Sequence, residues 1–392
     1  MLVLSLLLLS LVRAMSQSAS KLPFEISPST RSGDPNHIPP TFPIAPFHKY
    51  SGNPILRPEP DHKFEEAFLY NPTAIVLDDT VFILYRAQNK ELQSSIGLAW
   101  SKDGVNFTRL DHPIIAPTEK YELPGGCEDP RIVRVNGTFY VTYTAWDLVE
   151  PQLALAYSDD LVNWTKVGLV FPGIMDVDMI DSDVRVPRFN HSKSAAIINE
   201  PDSKGQYHMY HGESLIYHAV STDMKHWKPD PVTTYFASPA HPWEARLMEP
   251  GPAPIKTRDG KWILFYNGVA DGRAGYTRGS YSTGQMLIDP EIGNKPAKID
   301  HKTGKERPEA RNGPIARLER PVLVPDAENE VEGQVNQVVF TEGLVQFKGK
   351  WYLYFGQADS ELGVAIADVE PWHKEEDKHI FQKTYGQKVM GI

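Results

Sequence analysis

A single cysteine, Cys127, in 392 residues excludes any internal disulfide. At this length a chain can bury enough apolar surface to do without one, even outside the cell. Beside a pair of acids, Cys127 reads as a small buried apolar residue. A basic stripe is also missing. The formal net charge is -10, with 40 Lys and Arg against 50 Asp and Glu. Nothing supplies the cationic surface that would displace counterions from a nucleic acid. Metal-ligand spacing is absent too: there is no His-x-His and no carboxylate cluster of that kind, so no metal or other cofactor is expected. Helical periodicity is scarce, confined to a short tail near WHKEEDKHIFQKTYGQ. Beyond residues 1–14 no segment is apolar for long enough to cross a membrane.

That N-terminal run, MLVLSLLLLSLVRA, has the length of the apolar core of a signal peptide. We read residues 1–19 as a signal peptide and expect secretion. An uncleaved anchor, or translation starting at Met15, is the alternative. Asn-x-Ser/Thr sequons at Asn106, Asn136, Asn163 and Asn190 are compatible with glycosylation.

What the chain does have is repetition. Five stretches share a polar start, an apolar strand, a Gly or Asp turn and an aromatic-rich return strand. They begin at Tyr70, Glu128, His191, Glu249 and Asn336. Each alternates as a half-buried sheet does, with turn residues at Asp78-Asp79, Asn136-Gly137, Asp259-Gly260 and Lys348-Gly349. A second motif follows three of the hairpins: AWSKDGVNFT from Ala99, AYSDDLVNWT from Ala156 and AVSTDMKHWK from Ala219. Its Ser-x-Asp suits a turn and reads as blade architecture, not as a site.

Fixed-period β units of this kind predict an all-β fold, a five-bladed β-propeller over 53–372. An extended, Pro- and Ser-rich N-terminal arm over 20–52 precedes it. A polar loop over 289–320 separates the fourth and fifth units, and a short C-terminal tail over 373–392 follows. The inner strands of a propeller surround one axial channel. The polar starts therefore converge: Asn71, Glu128 and Asp129, His191 and Lys193, Glu249, and Asn336. Inverting glycoside hydrolysis needs a proton donor and a carboxylate that activates water across the sugar. Asp129, Glu213 and Glu249 are the candidates. Arg131 can hold a carboxylate or a sugar hydroxyl. Trp146, Tyr143, Tyr210 and Trp243 offer faces for a pyranose, though packing between blades suits most of them better. His208 and His218 read as satisfied within a blade. Glu213 could also form an ordinary ion pair with Lys193 or Arg188, and Glu249 could simply cap a strand.

GGCEDPRI with the hairpin ending YTAW, GPAPIKTRDGKWILFYNGV, and VNQVVF followed by WYLYFGQAD together resemble glycoside hydrolase family 130. The similarity runs from about Asn53 to Asp368. It implies a five-bladed propeller that acts on β-mannosides with inversion. It also implies that Asp129 is the general acid, delivering its proton through a sugar hydroxyl, and that Asn71, Arg86 and Asp359 line the sugar site. Glu128, His191 and Lys193 are further expected ligands of a mannose-containing oligosaccharide or glycan.

Most members of that family are phosphorylases, which gather several cations around inorganic phosphate. One stands where this chain has Lys193. Where others are expected, this chain has Glu213 and Glu249, and in that it resembles the secreted β-1,2-mannosidase branch. The leading expectation is therefore a hydrolase in which Glu213 and Glu249 share the activation of water. A phosphorylase releasing mannose 1-phosphate and a non-catalytic carbohydrate-binding propeller are the other readings.

Overall fold

A computed structural model describes residues 22–181, 184–292 and 313–370. The expected signal peptide, most of the polar loop and the C-terminal tail lie outside these residues.

The fold is a five-bladed β-propeller. Blade 1 runs through Phe68–Leu77, Thr80–Gln88, Ser94–Ser101 and Thr108–Arg109. Blade 2 runs through Gly126–Val135, Thr138–Trp146, Pro151–Ser158 and Thr165–Leu169. Blade 3 is shorter: Ala196–Ile197, Tyr207–His211, Tyr217–Ser221 and Lys228–Pro229. In blade 4, Leu247–Pro250 and Ile255–Lys256 both pair with Trp262–Val269, followed by Tyr281–Ile288 and Ala316–Arg317. Blade 5 uses Val339–Phe347, Lys350–Gln357 and Glu361–Asp368.

The fourth strand of blade 5 is His48–Lys49, paired with Ile366 and Ala365. The expected N-terminal arm is thus partly built into the ring, and the propeller starts before residue 53. Between blades 2 and 3 a hairpin, Met175–Asp181 with Val184–Phe189, forms a two-stranded sheet of its own, apart from the blades.

Local chemistry explains the repeat. Asp78, Asn136 and Lys348 adopt φ near +50° in the inner hairpin turns, and Gly137 and Gly349 follow at φ +87° and +76°. These are the left-handed pairs that a two-residue turn between twisted strands requires. In the Ser-x-Asp turns, Ser101, Ser158 and Ser221 each donate to Asp103, Asp160 and Asp223. Asn106 and Asn163 are tied into the same turns by their amides. Both sequons therefore sit in residues that the turn itself uses.

A second repeat is buried. The hydroxyls of Tyr85, Tyr143 and Tyr266 donate to Glu65, Glu122 and Glu244, all fully buried. Arg109, Lys166 and Arg317 from the outermost strands of their blades neutralise these acids. Each buried charge is thus both paired and hydrogen-bonded. His211 lies on the corresponding strand of blade 3, and its Nε2 is buried with no hydrogen-bond partner among the described residues.

Candidate active site

Three inner strands slip register near the axis, at Asn71, at Asp129-Pro130 and at Glu342. Asn71 and Asp129 sit there at φ +49° and +53°, and Ser194 of blade 3 at +55°. Asn and Asp tolerate this region best among residues with a Cβ. Each bulge turns a side chain off the sheet toward the axis. Neighbouring glycines make the room. A Cβ on Gly356 would lie 2.8 Å from Asn71 Oδ1, and one on Gly126 only 2.1 Å from the Ser94 carbonyl oxygen.

Asp129 is 2% exposed. Its Oδ1 accepts from Asn71 Nδ2 at 2.8 Å and from Arg86 Nη1 at 3.2 Å. Arg86 also holds Glu128 at 2.5 Å, helped by Ser94 Oγ, and lies over the Tyr70 ring at 4.6 Å. Lys193 Nζ stands 3.8 Å from Asp129, 3.7 Å from Glu213 and 3.6 Å from Glu249. One ammonium therefore gathers the three carboxylates singled out in the sequence. Ser194 Oγ donates to Glu249. Glu213 is further held by Arg188 at 2.6 Å and His191 at 3.0 Å, while Arg188 also pairs with Asp176.

The two glutamates are electrostatically different. Burial raises the Glu213 carboxyl, but Lys193, His191 and Arg188 outweigh it and hold the group well below the usual range. Glu249 is raised: burial dominates, Glu213 adds to it, and Lys193 only partly offsets both. Asp129 is drawn low, because Arg86, Lys193 and Arg131 together exceed its burial. Asp129 and Glu249 are shifted in opposite directions and share Lys193, so a titration reports the coupled pair and not either residue.

Asp359, half-buried at φ +52°, is pushed up to about 7 by burial, against the pull of Arg86. Its proton is bound more tightly in the folded than in the unfolded chain. Its contribution to stability is therefore complete below the ordinary value of 3.8 and lost as pH rises through about 7. Asp359→Asn cannot ionise. It is expected to flatten the fall of the thermal midpoint across that window and to exceed wild type in stability above it. Parallel midpoint curves for the two proteins would refute this.

Two expectations need correction. Arg131 does not face the channel. Its side chain is 2% exposed, donates to the carbonyls of Asp129, Pro250 and Gly251, and pairs with Glu342. Buried to this degree and held by three carbonyls and Glu342, it presents no face to a sugar. Asn336 is exposed in a loop, where it accepts from the Gly333 amide. The blade 5 residue at the bulge is Glu342, which sequence reading missed together with Ser194 and Asp176. Tyr143, Tyr210 and Trp243 are buried in packing. His208 and His218 bond each other at 2.9 Å and end on Asp202 and Asp230. Among the described residues no group of three or more His, Cys, Asp or Glu could hold a metal ion, and no helix is long and apolar enough to cross a membrane.

A propeller that gathers Asp129, Glu213 and Glu249 around Lys193 carries the carboxyls that chemistry on a sugar uses. Residues 47–373 match the family described as beta-1,4-mannooligosaccharide phosphorylase, and the chain belongs to it, glycoside hydrolase family 130. A 1,2-beta-oligomannan phosphorylase of Thermoanaerobacter sp. is 31% identical over 340 residues, covering 82% of this chain and 97% of the relative. A glycosyl hydrolase structure from Bacteroides ovatus is 31% identical with a TM-score of 0.69, covering 86% of this chain and 99% of the other. A further structure, at 32% identity and TM-score 0.70, covers 87% and 99%. It comes from work reporting that this family of mannoside phosphorylases contains glycoside hydrolases targeting β-1,2 mannosidic linkages in Candida mannan. The chain is accordingly a mannoside-processing enzyme.

Proposed function

We propose that the protein is an inverting β-mannosidase that transfers mannose to water, acting on β-1,2 links and secreted by way of its apolar N-terminal run. One observation carries the hydrolase reading: the cations of the channel are already taken by carboxylates. Lys193 is shared by Asp129, Glu213 and Glu249, and Arg188 by Glu213 and Asp176. Arg86 is shared by Glu128 and Asp129. A phosphate dianion entering here would meet fixed negative charge at each of these cations, whereas a water would find acceptors.

In this reading Asp129 supplies the proton to the departing glycosidic oxygen, through a sugar hydroxyl. Water attacks C1 from the opposite face. Glu249, with its raised carboxyl, takes the water proton, since a base works best when its pKa lies near the working pH. Glu213, held low by three cationic neighbours, orients that water. Asn71, Arg86, Glu128 and Asp359 contact the mannose.

The phosphorylase reading is kept alive by the names of the curated relatives and by Arg188, Lys193 and His191 beside Glu213. Incubation with β-1,2-mannobiose in phosphate-free buffer separates the two. Free mannose is expected at a rate that added phosphate leaves unchanged, appearing first as the α-anomer by proton NMR. Strict phosphate dependence with mannose 1-phosphate as product would overturn the hydrolase reading.

A further inference from the structure

Arg131 leaves blade 2 beneath the channel. Its Nε and Nη2 donate to the Pro250 carbonyl at 3.2 and 2.8 Å, and Nε also donates to Gly251 at 3.1 Å. Nη1 returns to the Asp129 carbonyl at 3.2 Å. Nη2 lies 2.7 Å from Glu342 Oε1 on blade 5. One guanidinium therefore ties together the peptide of Asp129, the peptide that follows Pro250, and a carboxyl group of a third blade, which burial pushes well above the usual range against the pull of Arg131.

Glu342 is fully buried. Arg131 is its only ion-pair partner among the described residues, and neither of its oxygens makes a hydrogen bond there. Such a group is expensive in a fold. The propeller does not require an acid at this point: the bulge residue of blade 1 is Asn71. What the acid adds is a tie from blade 5: without it Arg131 keeps only the carbonyls of blades 2 and 4.

We propose that Glu342 is a positioning residue: by locking Arg131, it sets Asp129 and Glu249 against one another on either side of the channel. This rests on the reading of those two carboxylates as the reacting pair. Small displacements between reacting groups are enough to matter, about 100-fold in rate for about 1 Å.

The test uses the full chain with Glu342→Gln and Glu342→Ala, assayed on β-1,2-mannobiose with whichever acceptor wild type uses. Gln keeps the volume and an acceptor for Arg131. It is expected to fold, to lose about 10-fold in kcat and to change KM by less than about threefold. Ala is expected to lose about 100-fold in kcat with the same small change in KM. The ordering of Gln above Ala at nearly constant KM is what a positioning role produces. A Gln variant with wild-type kcat overturns the proposal. So does a rise in KM at unchanged kcat, or a Gln variant that does not fold, which would make Glu342 purely structural. Phosphate dependence of wild type overturns the hydrolase reading instead and leaves this comparison intact.

Discussion

Asp129→Asn is expected to lower kcat on a β-mannoside by about 10²- to 10⁴-fold, the span that general acid catalysis contributes. The replacement is isosteric. Its oxygen can still accept from Asn71 and Arg86, which hold Asp129 Oδ1 now. What disappears is the dissociable proton, together with one negative charge near Lys193. Mannobiose binding, measured calorimetrically, should therefore survive within a few-fold. A variant that keeps more than about a tenth of wild-type kcat would remove Asp129 from the role of acid. A wild type that binds mannobiose and turns over no mannoside would favour the carbohydrate-binding reading.

The second large effect is expected at Glu249. Glu249→Gln should again lose about 10²- to 10⁴-fold, because no neighbour replaces a buried base. Glu213→Gln should lose much less, about 10-fold, if its carboxylate only orients water. Sodium azide separates these roles chemically. Azide needs no deprotonation, so it is expected to restore turnover of Glu249→Gln and to yield α-mannosyl azide. It should not rescue Asp129→Asn on an unactivated disaccharide, whose leaving group still lacks a proton. Azide rescue of Glu213→Gln instead, with the larger loss there, would exchange the two glutamates.

The blades were legible because each hairpin carries two independent signals, alternation and a turn, which in blades 2 and 5 is a left-handed pair. Asp129, Lys193, Glu213 and Glu249 were legible as candidates because acids and a lysine at strand ends have no solvent to justify them in a closed ring. The structure brings them around one ammonium. Glu342 was not legible. It sits inside VFTEGLVQF, where period-two reading assigns every residue a face. A bulge inserts one extra residue and changes the face without altering the composition. Arg131 failed for the same reason. The bulge at Asp129-Pro130 turns it beneath the channel, and no local pattern distinguishes above from below. His48–Lys49 was invisible because two residues carry no period. Its partners Ile366 and Ala365 are more than 300 residues away in the sequence.

That closing strand ties the order of synthesis to the order of folding. His48 and Lys49 emerge from the ribosome more than 300 residues before the strand they complete. Blades 1 to 4 can each form from neighbouring segments, but the ring is shut only by a contact that spans most of the chain. Such pairings are slow, because the loop entropy is lost before any contact rewards it. The early segment must therefore wait unpaired, and its four prolines at 39, 40, 43 and 46 suit it to waiting, since proline disfavours the strand pairing that would capture it prematurely.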